Sequence, residues 1–449
     1  MIKSAIKNYQ LLLVLLLITH LGLLIITRFT AWPEMLSWPY LMTKEWLPYR
    51  DIAIAHTSLL LVILAFIYKI IGVGVSQLQL LTWVLILSTD IFLWAISSKL
   101  WSKKNATLSL AIYVLLQIIY EGNGLWFDLA LAPLLLFMYY FLQQKKYLLS
   151  GLLFGAALFT KQTSAWIAFP VAIDVLRRKP MNFSELEKRI APLATGAVVF
   201  IFVTTLVMYF TGILPYFAHW GIEFGIFTLP KLSGQIDLPS MRELLKALLP
   251  FAPMLLIIKK LDQKISVLII WGAFATLGIY PRWELFHFQP ALPFFSIACA
   301  LLLEKYKVLR NYYFLVLSIL LLLFVKSSFG LPVRFSDQTV SQVVEAVNNE
   351  TNPTDEIYVL NYWDNIYALT DNLPATKPLI PYIPWYLDYQ QHGLFIKTEL
   401  QKEFPKVIIK GQYSPGLGGY KIEGLDEFIE KYYYLDQKIG NVEIYIKNQ

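Results

Sequence analysis

The sequence predicts an α-helical polytopic membrane protein with a small α/β domain at its C-terminal end. Of its 449 residues, 57% are hydrophobic and 15% are charged, whereas soluble domains have about 45–50% and about 25%. Long apolar runs recur up to about residue 330. The charge then changes, because residues 1–330 hold 28 basic and 15 acidic residues and residues 331–449 hold 10 and 16. We therefore predict a membrane domain over 1–330 and a water-soluble domain over 331–449.

Twelve apolar runs are candidates for crossing the membrane, which takes about 20 residues as a helix. The first has no small-residue cleavage site and is interpreted as a retained helix. The single cysteine, Cys299, excludes a disulfide framework and a cysteine-based zinc site. The runs lie near 9–28, 58–74, 78–98, 105–120, 125–143, 147–161, 163–177, 190–211, 244–258, 264–281, 288–304 and 311–330.

Basic residues set the predicted orientation, because they prefer cytoplasmic loops. All six clusters can be cytoplasmic only if an even number of crossings separates each from the next. Three runs separate Lys7 from Lys99, so one of the three does not cross. The clusters are Lys3/Lys7, Lys99/Lys103/Lys104, Lys145/Lys146, Arg177/Arg178/Lys179 with Lys188/Arg189, Lys259/Lys260/Lys264 and Lys305/Lys307/Arg310.

The run at 58–74 is the one predicted not to cross, since it contains Lys69 and ends in Gly72-Val73-Gly74. We expect it to lie along the outer interface as a juxtamembrane helix. About eleven spans remain in the plasma (cytoplasmic) membrane, with the N-terminus cytoplasmic and residues 331–449 extracytoplasmic. The outward loops then hold most of the unusual polar residues, so an active site would open to the outside.

The first outward loop contains Glu34, Asp51 and His56 among several aromatic residues. A carboxylate there can deprotonate an acceptor hydroxyl, and partial burial would tune its pKa. The alternative is a solvated loop whose Trp and Tyr side chains anchor it at the interface.

Two further outward positions carry charge. Asp128 follows Trp126-Phe127 and is an N-cap carboxylate, a second acidic group, or both. Lys161 lies between two apolar runs on the outer face, against the positive-inside trend. It is either a fixed cation for a phosphate or a snorkelling side chain.

The turn over 280–290 contains Arg282 and His287, both of which can donate to a phosphate. The alternative is an interface loop that happens to include an arginine. Asp90, in the middle of a predicted span, is a functional candidate by default, although a hydrogen bond to Ser or Thr on a neighbouring helix explains it as well. His20 is interpreted as a packing residue of the bundle.

No glycine-rich phosphate loop or His-x-x-x-His pair occurs in the sequence, which argues against an ATP-driven pump. The absence of a soluble cytoplasmic domain argues against an enzyme that uses a cytosolic nucleotide-sugar domain. The net charge of +7 is explained by basic cytoplasmic loops, so no nucleic acid partner is expected.

Several of these pieces, in this order, resemble GT-C-type integral membrane glycosyltransferases. The similarity is to the superfamily of protein O-mannosyltransferases, lipid A aminoarabinose transferases and Rgt-type lipopolysaccharide sugar transferases, and it covers roughly residues 30–330. The similar pieces are Leu47-Pro48-Tyr49-Arg50-Asp51, His56-Thr57-Ser58-Leu59, Trp126-Phe127-Asp128, Gly151 to Gly155, Thr160-Lys161-Gln162 and the segment from Arg282 through His287 to Pro293.

The resemblance implies inverting transfer of a sugar from a polyprenyl-phosphate donor to a glycan, lipid or protein acceptor at the outer face. A first-loop carboxylate, Glu34 or Asp51, would be the base. The donor phosphate would be held by Lys161, Arg282 and His287, and His56 and Asp128 would also bind substrate.

Two departures from the family pattern leave the catalytic base open between Glu34 and Asp51. The usual opening Asp-Glu pair is Pro33-Glu34 here, and the His-Pro-Pro-Leu run is His56-Thr57-Ser58-Leu59, further from its Asp. No cofactor is certain. Related enzymes differ in their use of a divalent cation, and Glu34, Asp51 and Asp128 could supply carboxylate ligands for one.

The tail alternates helical and strand patterns, which predicts a small α/β domain. It resembles soluble C-terminal domains of some of these enzymes, and acceptor binding or capping of the active site is its expected role. Helices are predicted over Ser341–Glu350, Leu394–Glu403 and Leu425–Tyr433, and strands over Glu356–Leu360, Val407–Ile409 and, at the sheet edge, Val442–Ile446.

Two other functions fit a membrane protein of this kind. A transporter or flippase of lipid-linked sugars would show internal repeats and polar residues near the midplane, and no repeat is evident. A polymerase or ligase of lipid-linked glycans would share the outward Arg and His but would not need an acidic first loop.

Overall fold

The computed structural model describes residues 2–178, 182–232, 234–252, 262–381, 386–387, 389–412 and 421–448. These form two compact units. The helical unit comprises Met1–Phe29, Leu80–Val207 and Asp237–Leu331, and the mixed unit comprises Thr30–Gln79, Met208–Ile236 and Pro332–Gln449. Residues 332–449 therefore share a unit with residues 30–79, which include the loop predicted to face outward.

The described helices and strands are numbered in chain order. The helices are α1 Ile2–Ile26, α2 Pro33–Thr43, α3 Leu59–Ile71, α4 Val75–Leu100, α5 Lys103–Ile119, α6 Phe127–Gln143, α7 Tyr147–Thr160, α8 Ala168–Leu176, α9 Phe183–Phe210, α10 Leu214–Phe217, α11 Met241–Leu248, α12 Gln263–Thr276, α13 Leu292–Lys305, α14 Lys307–Ser328, α15 Gln338–Glu350, α16 Asn365–Thr370, α17 His392–Glu403 and α18 Leu425–Tyr432. The strands are β1 Glu356–Leu360, β2 Leu373–Pro374, β3 Val407–Gly411, β4 Tyr433–Ile439 and β5 Val442–Lys447.

Four described helices are long and apolar enough to cross a membrane: Asn8–Ile26, Val75–Leu100, Phe183–Phe210 and Val308–Ser328. Others, such as α6 and α7, are apolar but have 17 residues or fewer. The count of eleven spans and their sidedness therefore stay predictions. Part of the predicted run 244–258 lies outside the described residues, as do Lys179, Lys259 and Lys260.

The helical unit is held together by a core between α5, α6, α12 and α13, in which Tyr113, Trp271 and Phe294 are fully buried. Helices α7 and α9 touch backbone to backbone. A Cβ on Gly151 would lie 1.9 Å from the carbonyl oxygen of Leu193. Close approach of this kind requires small residues, as in other membrane helix pairs.

Helix α3 occupies the run predicted not to cross. Its 13 residues make it about 20 Å long, shorter than the roughly 30 Å hydrocarbon core. It ends at Gly72, whose φ of 82° a side chain would oppose. One face packs on α2, where the Tyr68 hydroxyl donates to the Met35 carbonyl at 3.1 Å. Its length fits a non-crossing helix, and its placement relative to a membrane stays a prediction.

The mixed unit contains a five-stranded sheet in the order β2-β1-β3-β5-β4. Strands β2, β1 and β3 are parallel, and β3, β5 and β4 are antiparallel. The predicted α/β pattern of the tail is confirmed, but the prediction of an edge strand over 442–446 is wrong. Strand β5 is internal because β4 pairs with it through a hairpin at Gly440, and the polar composition of β4 hid that strand from the sequence pattern.

Candidate functional site

Three of the residues predicted from the sequence meet in the helical unit. Asp128 lies in the first turn of α6, Lys161 directly follows α7, and His287 lies in the short helix Leu285–Phe288 before α13. All three are buried, with residue exposures of 1%, 4% and 8%. We call them the Asp128 cluster.

Contacts within the Asp128 cluster are short. The Lys161 ammonium donates to both carboxylate oxygens of Asp128, at 2.8 and 2.7 Å. Its remaining close contacts are the Gly278 carbonyl at 3.4 Å and the Nδ1 of His287 at 3.3 Å. The charge of Lys161 is therefore compensated by Asp128, which also fixes the direction of its N–H groups.

His287 is the member of the cluster that remains accessible. Its Nδ1 lies 2.7 Å from Oδ2 of Asp128, so Nδ1 carries the hydrogen and donates to that carboxylate. Burial and then the charge of Lys161 lower the pKa of His287, against the opposing effect of Asp128. The imidazole is thus neutral at pH 7. Its Nε2 has no partner in the described part of the chain, and 11% of the side chain is exposed.

Arg282 is not brought into contact with that cluster. Its Nε is 3.4 Å from Oε1 of Glu284, and a quarter of its side chain is exposed. The backbone around it pairs with Asp237, whose carbonyl accepts from the Trp283 amide at 3.0 Å. The segment is thus fixed by a backbone bridge within the helical unit.

The first-loop residues lie in the mixed unit, where Asp51 is held by several donors. The Arg50 guanidinium donates to its two oxygens at 2.9 Å each, and the Leu47 amide donates at 2.8 Å. Lys377 adds a charge at 3.6 Å. Burial alone would raise the pKa of Asp51, but these donors and charges lower it. A carboxylate held in this way is a poor proton acceptor.

Glu34 has different surroundings. It lies in the first turn of α2, with Pro33 at the start of the helix. The negative charges of Glu34 and Asp364 both act on the Tyr386 hydroxyl, whose pKa is raised first by burial. That hydroxyl accepts a hydrogen bond from the Ala55 amide at 3.1 Å. We call Glu34, Asp364 and Tyr386 the Glu34 cluster.

The sequence reasoning missed Asp364 and Tyr386, which lie in the tail. Burial raises the pKa of Asp364 to about 6, although the Trp38 indole opposes this. Asp364 directly precedes α16, which packs against α2, and Asp371 after α16 accepts from the Tyr40 hydroxyl at 3.0 Å. No local pattern marks these residues, because their position depends on tail-to-loop packing.

His56 precedes α3 and is partly buried, and its carbonyl oxygen accepts from the Tyr49 hydroxyl at 3.1 Å. Among the described residues, no group of three or more His, Cys, Asp or Glu side chains is arranged to hold a metal ion. A carboxylate site for a divalent cation stays a prediction.

A second buried polar cluster in the helical unit was not anticipated. Nδ1 of His20 lies 2.7 Å from Oδ2 of Asp90, and its Nε2 lies 3.0 Å from Oε1 of Gln117. His20 and Asp90 are fully buried. Asp90 thus pairs with a histidine of α1 rather than with a Ser or Thr, and His20 links helices of the bundle through hydrogen bonds.

Comparison with solved structures identifies the fold. The chain matches the crystal structure of ArnT from Cupriavidus metallidurans bound to undecaprenyl phosphate, with a TM-score of 0.65, 11% identity and 98% of each chain covered. The apo state of that protein gives a TM-score of 0.66 at 10% identity, with the same coverage. The resemblance drawn from the sequence is therefore confirmed at the level of the fold.

A further match is more distant. The archaeal oligosaccharyltransferase AglB from Archaeoglobus fulgidus, in complex with an inhibitory peptide and a dolichol-phosphate, gives a TM-score of 0.50 at 11% identity. The match covers 98% of this chain and 74% of that one. No curated protein matches the sequence significantly.

One family is recognised by sequence. Residues 49–348 match the family described as predicted membrane protein DUF2079. This region includes most of the apolar helices and all members of the Asp128 cluster. The chain is therefore an integral membrane protein that belongs to the DUF2079 family.

Proposed function

We propose that this protein transfers a sugar from a polyprenyl-phosphate donor to a glycan, lipid or protein acceptor at the outer face of the membrane. The observation that carries the proposal is the fold shared over the whole chain with ArnT, whose crystal structure holds undecaprenyl phosphate. The AglB structure with dolichol-phosphate supports the same class of donor. Substitution at the sugar carbon inverts its configuration, and the lipid phosphate leaves.

The donor phosphate is assigned to the helical unit. Lys161 supplies a positive charge that Asp128 holds in one orientation, and His287 offers the accessible nitrogen. A bound phosphate anion raises the pKa of His287, so the imidazole takes up a proton and donates a charge-assisted hydrogen bond from Nε2. Arg282, on the same unit, adds a second cation. These groups stabilise the charge that develops as the phosphate leaves.

The base is assigned to Glu34. The sequence left Glu34 and Asp51 as alternatives, and their surroundings favour Glu34. Asp51 accepts hydrogen bonds from Arg50 and from a backbone amide, and these contacts stabilise the loop. They also lower the pKa of Asp51, which makes it a weak base. Glu34 and Asp364 both act by their charges on the buried Tyr386 hydroxyl, and burial raises the pKa of Asp364 to about 6, so this part of the mixed unit is desolvated.

The test compares cells that express the full chain, cells that lack it and cells with single substitutions. Mass spectrometry of the surface glycans is expected to show one sugar missing in the cells that lack the chain. Transfer is then measured directly with purified protein, labelled polyprenyl-phosphate sugar and membranes from the cells that lack the chain. Glu34→Gln is expected to lower kcat by about 100-fold or more, because a general base contributes about 10²–10⁴.

Asp371→Asn is the matched control, since Asp371 also contacts α2 but its carboxylate is 48% exposed and pairs with Lys44. It is expected to leave transfer within about twofold, as surface ion pairs contribute little. Asp51→Asn is expected to lower the amount of folded protein more than the kcat of what remains. Full transfer by Glu34→Gln would refute the assignment of the base, and unchanged glycans in cells without the chain would refute the function.

A further inference from the structure

The sheet of the mixed unit carries a cavity of about 440 Å³ that the proposed transfer does not use. It lies where β1 and β3 end, and its remaining wall comes from the start of α18 and from the β4–β5 hairpin. All of its lining residues belong to the tail. The volume lies within the range of about 300–1,000 Å³ typical of small-molecule sites.

The topology of the sheet explains why a cavity forms at this edge. From β1 the chain proceeds to β2 on one side, and from β3 it proceeds to β4 and then β5 on the other. The connections after two adjacent parallel strands therefore separate and leave a crevice at their carboxyl ends. In open α/β sheets, ligands bind at such a switch point.

The backbone at the crevice is closely fitted. A Cβ on Gly411, at the end of β3, would lie 2.1 Å from the carbonyl oxygen of Asn361, at the end of β1. The absence of a side chain at Gly411 lets the two strand ends meet at the floor of the cavity. Oδ1 of Asn361 is buried there and accepts no hydrogen bond from any described group. A buried amide oxygen without a donor is costly unless a ligand or water supplies one.

The charged lining is balanced rather than strongly basic. Asp426 accepts from Lys410 and Lys421 at 2.9 Å each, and Lys438 pairs with Glu443 at 2.9 Å. Three cations face two carboxylates, so the cavity presents donors and acceptors together with one excess positive charge. Hydroxyl groups donate and accept at once, and alternating donors and acceptors of this kind match them.

We propose that this cavity is a saccharide-binding site that holds one or two sugar rings, and that its ligand is the glycan part of the acceptor. The naming of the ligand as acceptor rests on the proposed function, whereas the saccharide chemistry rests on the cavity alone. Hydroxyls of the sugar donate to Oδ1 of Asn361 and to Asp426, and accept from the lysines that Asp426 orients. The excess positive charge favours a sugar that carries a carboxylate or another acidic group.

The test measures saccharide binding to the full chain in detergent micelles, in the absence of any donor. The probes are methyl glycosides of a hexose, an amino sugar and a uronic acid, with inorganic phosphate as the simple anion. Calorimetry or ligand-observed NMR is expected to show saturable binding of at least one glycoside, tightest for the uronic acid. Asp426→Asn is expected to weaken that binding about tenfold, because one charge-assisted contact and the orientation of two lysines are lost.

Asp355→Asn is the matched control. The Asp355 carboxylate is 32% exposed and pairs with Lys406, whereas that of Asp426 is 29% exposed, and Asp355 lies outside the cavity lining. Asn361→Leu tests the second contact, since it keeps a similar shape but removes the acceptor oxygen, and it is expected to weaken glycoside binding. The proposal is overturned if no glycoside binds, if phosphate alone binds, or if Asp426→Asn binds as tightly as Asp355→Asn.

The two proposals fail in different ways. If surface glycans lack a sugar without this chain but no glycoside binds the purified protein, the cavity proposal is wrong and the transfer stands. If glycosides bind and respond to Asp426→Asn but the surface glycans do not change, the transfer is wrong and a saccharide site remains.

Discussion

The helical unit contains two buried Asp–His pairs with the same contact distance and different surroundings. In each, Nδ1 of the histidine lies 2.7 Å from one carboxylate oxygen. His20, paired with Asp90, directs its Nε2 to Gln117, and both members of the pair are fully buried. His287, paired with Asp128, has an exposed side-chain fraction of 11% and no described partner for its Nε2.

The difference lies in the second nitrogen. The side-chain amide of Gln117 donates to the Gly122 carbonyl at 2.9 Å, so its oxygen faces His20 and both ring nitrogens lie against acceptors. This buried hydrogen-bond network links helices α1, α4 and α5, and it leaves neither ring nitrogen of His20 available to a substrate. At His287 the cation Lys161 adds charge, and the free nitrogen can gain or lose a proton when a ligand arrives.

The largest expected effect is a difference in kcat between variants at the two Asp–His pairs. Lys161→Met removes the cation of the Asp128 cluster and is expected to lower kcat about 100-fold, as for loss of one preorganised donor in an active site. His20→Gln is expected to leave the kcat of the folded protein within about threefold, because its pair is closed to substrate. Transfer assays normalised to folded protein measure both. Equal losses in the two variants would show that the pairs do not differ in function.

A smaller effect concerns pH. The lowered pKa of His287 keeps the imidazole neutral at pH 7, so donor binding has to draw in a proton. The KM for the donor is therefore expected to fall as the pH drops below 6.5, by about fivefold when a neutral hydrogen bond becomes charge-assisted. Measurement of KM against pH checks this. In His287→Gln the KM is expected to be higher and independent of pH over that range, and a retained dependence would contradict the assignment.

The smallest effect on turnover is expected at Asp90. Asp90→Asn keeps an acceptor for His20 but removes the charge, so transfer should change by less than about twofold while the free energy of unfolding falls by about 1–2 kcal/mol. The thermal unfolding midpoint of the detergent-solubilised protein measures the loss. Thr19→Val is the control next to His20 on α1, since Thr19 is exposed and its hydroxyl donates to the Leu15 carbonyl of its own helix. An unchanged midpoint in Asp90→Asn would show that the closed pair does not stabilise the bundle.

Part of the candidate site could be predicted from residue type and predicted sidedness. The sequence predicts Asp128, Lys161 and His287 as outward polar residues at the ends of apolar runs, and the structure brings these three together. Their exact partners could not be predicted, since 33 and 159 residues separate Asp128 from Lys161 and His287. The interpretation of Lys161 as a cation for phosphate stays a prediction, and the structure adds that Asp128 holds its ammonium in place.

The tail shows the same limit. Periodicity located β1, β3, β5 and three helices, because each carries its own pattern of buried and exposed residues. It missed β4, whose exposed residues become a strand only through pairing with β5. It also missed that Glu34 and Asp364 both act by their charges on Tyr386, since contacts between distant segments leave no mark on local composition.

The sequence by itself determined that this is a membrane protein with a polar tail, because apolar excess and charge are sums over residues that need no partners. It also predicted which side chains face outward and could carry chemistry. Only the tertiary structure decided which carboxylate is braced by Arg50, which lysine is compensated by Asp128 and which histidine keeps an accessible nitrogen. These properties depend on burial and on distances of about 3 Å, and packing alone sets them.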